Sequence, residues 1–378
     1  SDMNGSRNDI RARRAGEARP PPVVVNNAQR APGTTTPLPG NRVPVIDPAS
    51  AKIVNQYPLP NIPGAGTVNN HLYNGPLLNT INQGDVRIDY RTNNSSLFGR
   101  YSWEDPTTTN PGLLPAPAIG GGPGYPGETL APGKQVVLGY GRTLSPSLYY
   151  ELRAGFSRLL EFINVEGTKY GNMAESLGIR NANVGGPGMS TISISGTTPF
   201  GDGNGSLAKV NNIYEVAQAV SWVKGKHELK FGFNWMTTTF GFFTPPKPVG
   251  SFNFNGSYTG YGLSDFLFGR PATSQIDITK YFTLTRYRPV LYVQDNWRLT
   301  SKLTLNLGLR DEIVTPWKER HNRLGIFEPA KGGSLVAVGT PGYPADTVTD
   351  GKFRNFGPRA GLAYSVTPST VIRAGFGI

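Results

Sequence analysis

The sequence predicts an all-β chain: an antiparallel transmembrane β-barrel, present in part, with about ten strands, short turns at one end and long loops at the other. Three observations predict it. Apolar and polar residues alternate with a period of two in paired runs. The connection inside each pair is a few residues, whereas those between pairs run to tens. Aromatic residues of the apolar parity gather beside the short connections.

Bulk composition agrees. Gly (48) and Pro (33) together exceed a fifth of the 378 residues, charged residues make up 16% and aromatics 11%, a profile that favours short strands and turns over helices. Cysteine is absent, which excludes disulfides and thiolate metal sites. No run approaches the roughly 18 apolar residues of a spanning helix, so a membrane would have to be crossed by strands.

Along the chain, residues 1–40 carry Arg7, Arg11, Arg13, Arg14 and Arg19, then Pro20-Pro21-Pro22 and a Thr/Pro stretch, and read as a disordered or foreign segment. Residues 41–76 are punctuated by Pro and Asn and read as an extended loop segment. The barrel portion is expected over 77–378.

Five hairpins follow. The first sets Val86, Ile88 and Tyr90 against Arg87 and Asp89, turns at Thr92–Ser96, and returns with Leu97, Tyr101 and Trp103 against Arg100, Ser102 and Glu104. The second carries Val136, Leu138 and Tyr140 into Ser145-Pro146-Ser147 and returns with Leu148, Tyr150, Leu152, Ala154 and Phe156. The third turns at Lys224-Gly225-Lys226 and continues with His227, Leu229, Phe231, Phe233 and Trp235. The fourth turns at Thr300-Ser301-Lys302 into Leu303, Leu305, Leu307 and Leu309. The fifth turns at Thr367-Pro368-Ser369, between Ala360, Leu362, Tyr364, Val366 and Ile372, Ala374, Phe376. Stretches 105–133, 161–212, 244–285 and 316–356 are left as long connections, where capture of an unknown ligand is expected.

A soluble sandwich also alternates. The membrane reading rests on the asymmetric connections and on Tyr90, Trp222, Trp297 and Tyr364, each just before a short turn, as an aromatic girdle predicts for a barrel in outer-membrane lipid. Gly155, Gly232, Gly308 and Gly375 on the polar parity fit strands that must curve or be closely approached. One residue breaks the pattern. The parity that makes Leu291, Val293 and Trp297 outward also makes Asp295 outward, which calls for either a bulge or a partial protein cover. The last strand runs to Ile378, which leaves two sheet edges and suggests a piece of a longer chain.

The polar parity places Arg100, Arg153, Lys230, Arg310 and Arg373 toward a lumen, where pairing with Glu104, Glu151, Glu228 and Glu312 is expected. A formal charge of +12 invites a nucleic-acid partner, but outside the N-terminal arginines the cations fall singly on alternate positions and none is expected. His71, His227 and His321 lack partner spacing for catalysis or zinc, so no enzyme, metal or cofactor is expected. Gly120-Gly121-Gly122-Pro123-Gly124 reads as a flexible loop, and Gly201-Asp202-Gly203-Asn204-Gly205 as a turn that lacks the further carboxylates of a calcium site.

The runs Leu138-Gly139-Tyr140 to Phe156, Trp222–His227 to Trp235, Asp265-Phe266-Leu267-Phe268-Gly269, Tyr292–Trp297 to Arg310, Asn355–Arg359 to Gly377, and the early Tyr57-Pro58-Leu59-Pro60-Asn61 together resemble the Oar-like TonB-dependent receptors over about 41–378. The resemblance implies a 22-stranded barrel with an N-terminal plug, driven by the TonB complex, for uptake or export of bulky ligands. This sequence shows no plug, no TonB-contacting box and no terminal aromatic strand, so contact with TonB would go through parts missing here. A soluble glycan-binding sandwich and a passive porin are the rival expectations.

Overall fold

The computed structural model describes residues 29–66, 69–121, 125–329, 332–342 and 351–378. Residues 1–28, with the arginines of the N-terminal stretch, and 122–124 of the Gly-rich run lie outside the described residues.

One twelve-stranded antiparallel sheet dominates. Gly127–Leu130 and Lys318–Glu319 are short members. The other ten are the five expected hairpins: β1 (Leu78–Arg91) with β2 (Ser95–Asn110), β3 (Gly133–Ser145) with β4 (Leu148–Val165), β5 (Leu207–Lys224) with β6 (His227–Phe243), β7 (Phe282–Arg298) with β8 (Leu303–Glu312), and β9 (Phe356–Thr367) with β10 (Thr370–Gly377). Each long strand pairs with its sequence neighbours in order, and β1 and β10 form the two edges of the sheet. A single large sheet of this order replaces the rival sandwich, which needs two sheets face to face.

The short turns are closed by local chemistry. Thr92, Ser145, Thr300 and Thr367 each accept a backbone N–H two or three residues on, at 2.9–3.3 Å. Gly225 supplies φ +59° in the two-residue turn between β5 and β6, a conformation that costs other residues strain.

Strands are longer than alternation alone showed. Residues 161–165 and 207–212, read as connection, belong to β4 and β5. The cause is burial on the polar parity: Ile163, Val165 and Leu207 there are only 4–6% exposed, so both faces are apolar and the period-two signal vanishes.

Beyond these strand ends the long connections build a cap. A three-stranded sheet (Thr191–Ile194, Ser251–Phe254, Thr273–Gln275) packs with helices α1 (Pro48–Val54), α2 (Met173–Ser176) and α3 (Gly262–Leu267). Their core joins Leu38, Val43, Ile53, Met173, Phe200, Phe254 and Phe266. The segment 41–76 is therefore not extended throughout. Asp47 caps α1 by accepting from Ala49 and Ser50 N–H (2.9 and 3.0 Å), Pro48 opens it, and Ser50 donates to the Phe266 carbonyl. Within 29–40, Leu38 and Gln29 are buried against the same cap. Gly120 and Gly121 are likewise buried, with Gly121 N–H donating to the Gly201 carbonyl, so the described part of the Gly-rich run is packed and not a free loop.

Candidate functional site

Register settles the two faces of the large sheet. Tyr90 stands opposite Leu97, Leu97 opposite Tyr140, and the row continues through Leu152, Gln218, Phe233 and Leu291. This face holds Ile88 (71% exposed), Leu138, Val293, Leu309 and Phe376 uncovered, while the buried apolar side chains of the long strands, Ile163, Val165, Leu207 and Val290, all have the opposite parity. So large an exposed apolar face is stable only against an apolar medium.

Tyr90, Trp222, Trp297 and Tyr364 all lie on this face, next to the short turns. Trp222 carries the Lys224 ammonium over its ring at 4.9 Å, and Trp297 stacks on His227 with centroids 5.1 Å apart. A second aromatic band escaped the sequence reading. Tyr101, Phe156, Tyr214 and Tyr287 occupy one continuous row, with Val136 and Thr237 between them, and Trp103 and Trp235 flank it. Tyr214 precedes Trp222 by eight residues on one strand. At about 3.4 Å per residue and a tilt of about 40°, that separation is roughly 21 Å along the sheet normal to the turns, close to the ~25 Å apolar band of outer-membrane barrels.

Asp295 is on the apolar face. Its strand keeps register with both neighbours from Val290 to Trp297, so no bulge rephases it. Instead His227 answers it: Nδ1 lies 2.7 Å from Asp295 Oδ2, and the carboxylate side chain is 19% exposed. The cover is thus a neighbouring imidazole, with Trp297 stacked beyond it. His227→Ala removes the partner and leaves a carboxylate on an apolar surface, an expected loss of about 1–3 kcal/mol. Adding Asp295→Asn to that variant should recover most of it. Urea midpoints of the folded protein in lipid check both, and additive losses in the double variant would refute the coupling.

The opposite, polar face carries Arg100, Arg153, Lys230, Arg310 and Arg373. Arg153 pairs with Glu151 (2.7 Å) and Arg310 with Glu312 (3.1 Å), the latter also meeting Arg288. Arg100 chooses Asp85 (2.8 Å) and not Glu104, because Asp85 faces Ser102 directly across the β1–β2 pair, one step from Arg100 on the same face. Lys230 and Arg373 have no carboxylate partner among the described residues. Among the polar-face glycines, Gly232 lies under the Tyr292 ring, whereas Gly155, Gly308 and Gly375 have nothing nearer than 3.7 Å to an added Cβ.

At the long-connection end, Asp202 is 3% exposed and holds three loops together. Oδ1 accepts from Gly167 N–H (2.9 Å) and Oδ2 from Met189 N–H (2.8 Å). Burial pushes its carboxyl up to about 6 against the pull of those two N–H donors. Both oxygens thus tie the Gly201–Gly205 segment to the loops at Gly167 and Met189. Asp202 also borders a cavity of about 280 Å³ at the strand ends, lined by Asn164, Thr168, Asn204, Phe243 and Pro248. Asp265, 0% exposed, is a second such staple, accepting from Thr259 N–H and Oγ1 at 2.8 and 2.6 Å.

A continuous antiparallel sheet with one lipid-compatible face, one polar face and all short turns at one end defines a transmembrane β-barrel protein of the bacterial outer membrane. The chain belongs to the outer membrane beta barrel domain family, whose model matches residues 9–378. That match begins inside the segment read as disordered or foreign. Among solved structures it is similar to the ferric-catecholate import receptor Fiu from E. coli (12% identity, TM-score 0.42, 80% of this chain and 47% of that one). It is also similar to the outer membrane transporter YddB from Escherichia coli (11%, 0.45, 79% and 31%). A third is the siderophore receptor PiuA from Acinetobacter baumannii (12%, 0.42, 79% and 42%). The chain spans less than half the length of these structures. No curated protein matches.

Proposed function

We propose that this chain forms the wall and outer cap of an outer-membrane receptor and transporter of the TonB-dependent, Oar-like kind, which captures its ligand at the long-connection end. The two aromatic bands are its membrane girdles, and Arg100, Arg153, Lys230, Arg310 and Arg373 face its lumen. The observation that carries the reading is the cap. The long connections do not trail in solvent but build a folded body with its own core over one end of the sheet. A pore for free diffusion gains nothing from such a body; a receptor needs a shaped outer surface. TonB contact would go through segments other than those described here.

The test is liposome swelling with the full-length gene product in arabinose, alongside site-specific photo-crosslinking to TonB in cells. No swelling together with a TonB adduct is the expected result. Rapid swelling without an adduct would make a passive porin the better reading.

A further inference from the structure

The polar face is electrically divided. On β1 to β5 its cations are matched except for Arg91 beside the first turn: Arg87 meets Asp89, Arg100 Asp85, Arg153 Glu151 and Lys209 Glu161, at 2.7–2.9 Å. On β6 to β10 the same face carries Lys230, Arg288, Arg298, Arg310, Arg359 and Arg373 against only Glu228 and Glu312. Glu312 is shared by Arg288 and Arg310. Among the described residues Lys230, Arg298, Arg359 and Arg373 have no carboxylate partner. Arg286 extends the series toward the cap, its guanidinium over Trp317 at 4.4 Å and its Nε without an acceptor.

Register gives these cations an order. Arg298 and Arg373 share one row through Thr304 and Ala363, near the short turns. Lys230 and Arg359 share another through Gln294 and Gly308. Arg310 comes one step further, then Arg288 and Arg286. With same-face residues about 6.8 Å apart along a strand, the series runs from the turn end to the cap with gaps of about one or two steps. Between the cations the strand floor is glycine. Gly308, Gly361 and Gly375 would accept a Cβ with its nearest neighbour at 3.8, 3.5 and 3.7 Å, so local packing does not demand them. Glycine inside a strand is a cost that close approach of another molecule would explain.

We propose that the polar face of β6 to β10 is a binding track for an anionic solute bearing several carboxylate or phosphate groups, which engage successive arginines over the glycine floor. Guanidinium groups without a carboxylate partner, those of Arg298, Arg359 and Arg373, bind such oxyanions bidentately, Arg288 and Arg310 can turn to them from their shared Glu312, and stepwise spacing favours a ligand with more than one anionic group. This deepens the transporter reading by naming a substrate class and rests on it for passage, although binding can be measured without transport.

The test is calorimetric titration of the full chain, purified in detergent, with citrate and separately with tripolyphosphate at low and high salt. Each of Arg310→Gln, Arg359→Gln and Arg373→Gln is expected to weaken binding by ~10-fold or more. Arg359→Lys should keep most of it, and Arg87→Gln and Lys209→Gln on the matched half should leave it unchanged. Heat-modifiable mobility on gels shows that each variant is folded. Response to citrate alone marks carboxylates as the recognised group, and to tripolyphosphate alone, phosphates. Absence of binding to both at millimolar concentration and low salt would overturn the track, as would equal losses on the two halves. Binding retained in a protein that makes no TonB adduct would sink the transporter reading and leave the track standing.

Discussion

Leu138→Arg is expected to destabilise the folded protein in lipid by about 2–4 kcal/mol, the cost of a guanidinium on the lipid face near mid-depth of a barrel. Leu138 is 52% exposed in the middle of β3, opposite Gly99 and Ala154, and no carboxylate on that face is adjacent to rescue the charge. The matched control is Gly155→Arg, one residue further along the neighbouring strand and so on the other face. There an added Cβ meets nothing nearer than 3.9 Å, and Glu215 stands opposite. Its expected cost is under about 1 kcal/mol, the ordinary range for an exposed position. Unfolding from lipid vesicles measured by tryptophan fluorescence checks the pair. A sheet with solvent on both faces predicts small and equal effects, and that result would remove the membrane assignment of the apolar face.

The assignment of faces needed only the sequence, because one side of each long strand is apolar and the other polar, and period two survives inspection. Val86, Ile88 and Tyr90 read as the apolar parity of one strand and Leu97 and Tyr101 as that of the next, and across the hairpin Val86 pairs with Tyr101 and Tyr90 with Leu97. Alternation failed where physics gives it no contrast. At Ile163 and Leu207 the polar parity itself carries buried apolar side chains, both faces turn apolar, and the strand ends read as loop. The cap itself was illegible for a different reason. Its core residues, Leu38, Ile53, Phe200 and Phe266 among them, come from connections far apart in sequence, with no shared period to announce that they meet. One element of the cap does carry a local signal: Asp47 followed by Pro48 is a helix start, and α1 begins there. The second aromatic band was also readable, since Tyr214 and Trp235 each lie eight residues from a residue beside a turn. Alternation marks Asp295 as an outward charge, but its partner, His227, sits on the neighbouring strand and emerges only from register.

The closed cap is expected to be tighter at pH 4 than at pH 7, by up to about 3 kcal/mol, because of Asp202. Burial raises its carboxyl from 3.8 to about 6 in the folded cap. Between those values the folded cap holds a proton that the opened cap releases, so stability falls as pH rises from about 4 to 6 and is level above. Two pKa units at 1.36 kcal/mol each give the stated ceiling, a factor of roughly 100 in the opening equilibrium. The Gly167 and Met189 amides report it directly, since they donate to the two oxygens of this carboxyl. Their hydrogen-exchange protection, corrected for intrinsic rates, should drop across that window. Asp202→Asn should flatten the profile, because the amide has no proton to lose, and should lower protection of one of the two donors, since only one of its polar atoms accepts. Protection that instead rises with pH would mean that the two N–H donors outweigh desolvation and hold the carboxylate ionised. The carboxyl would then lock the cap at neutral pH, and the cavity beside it would open under acid instead.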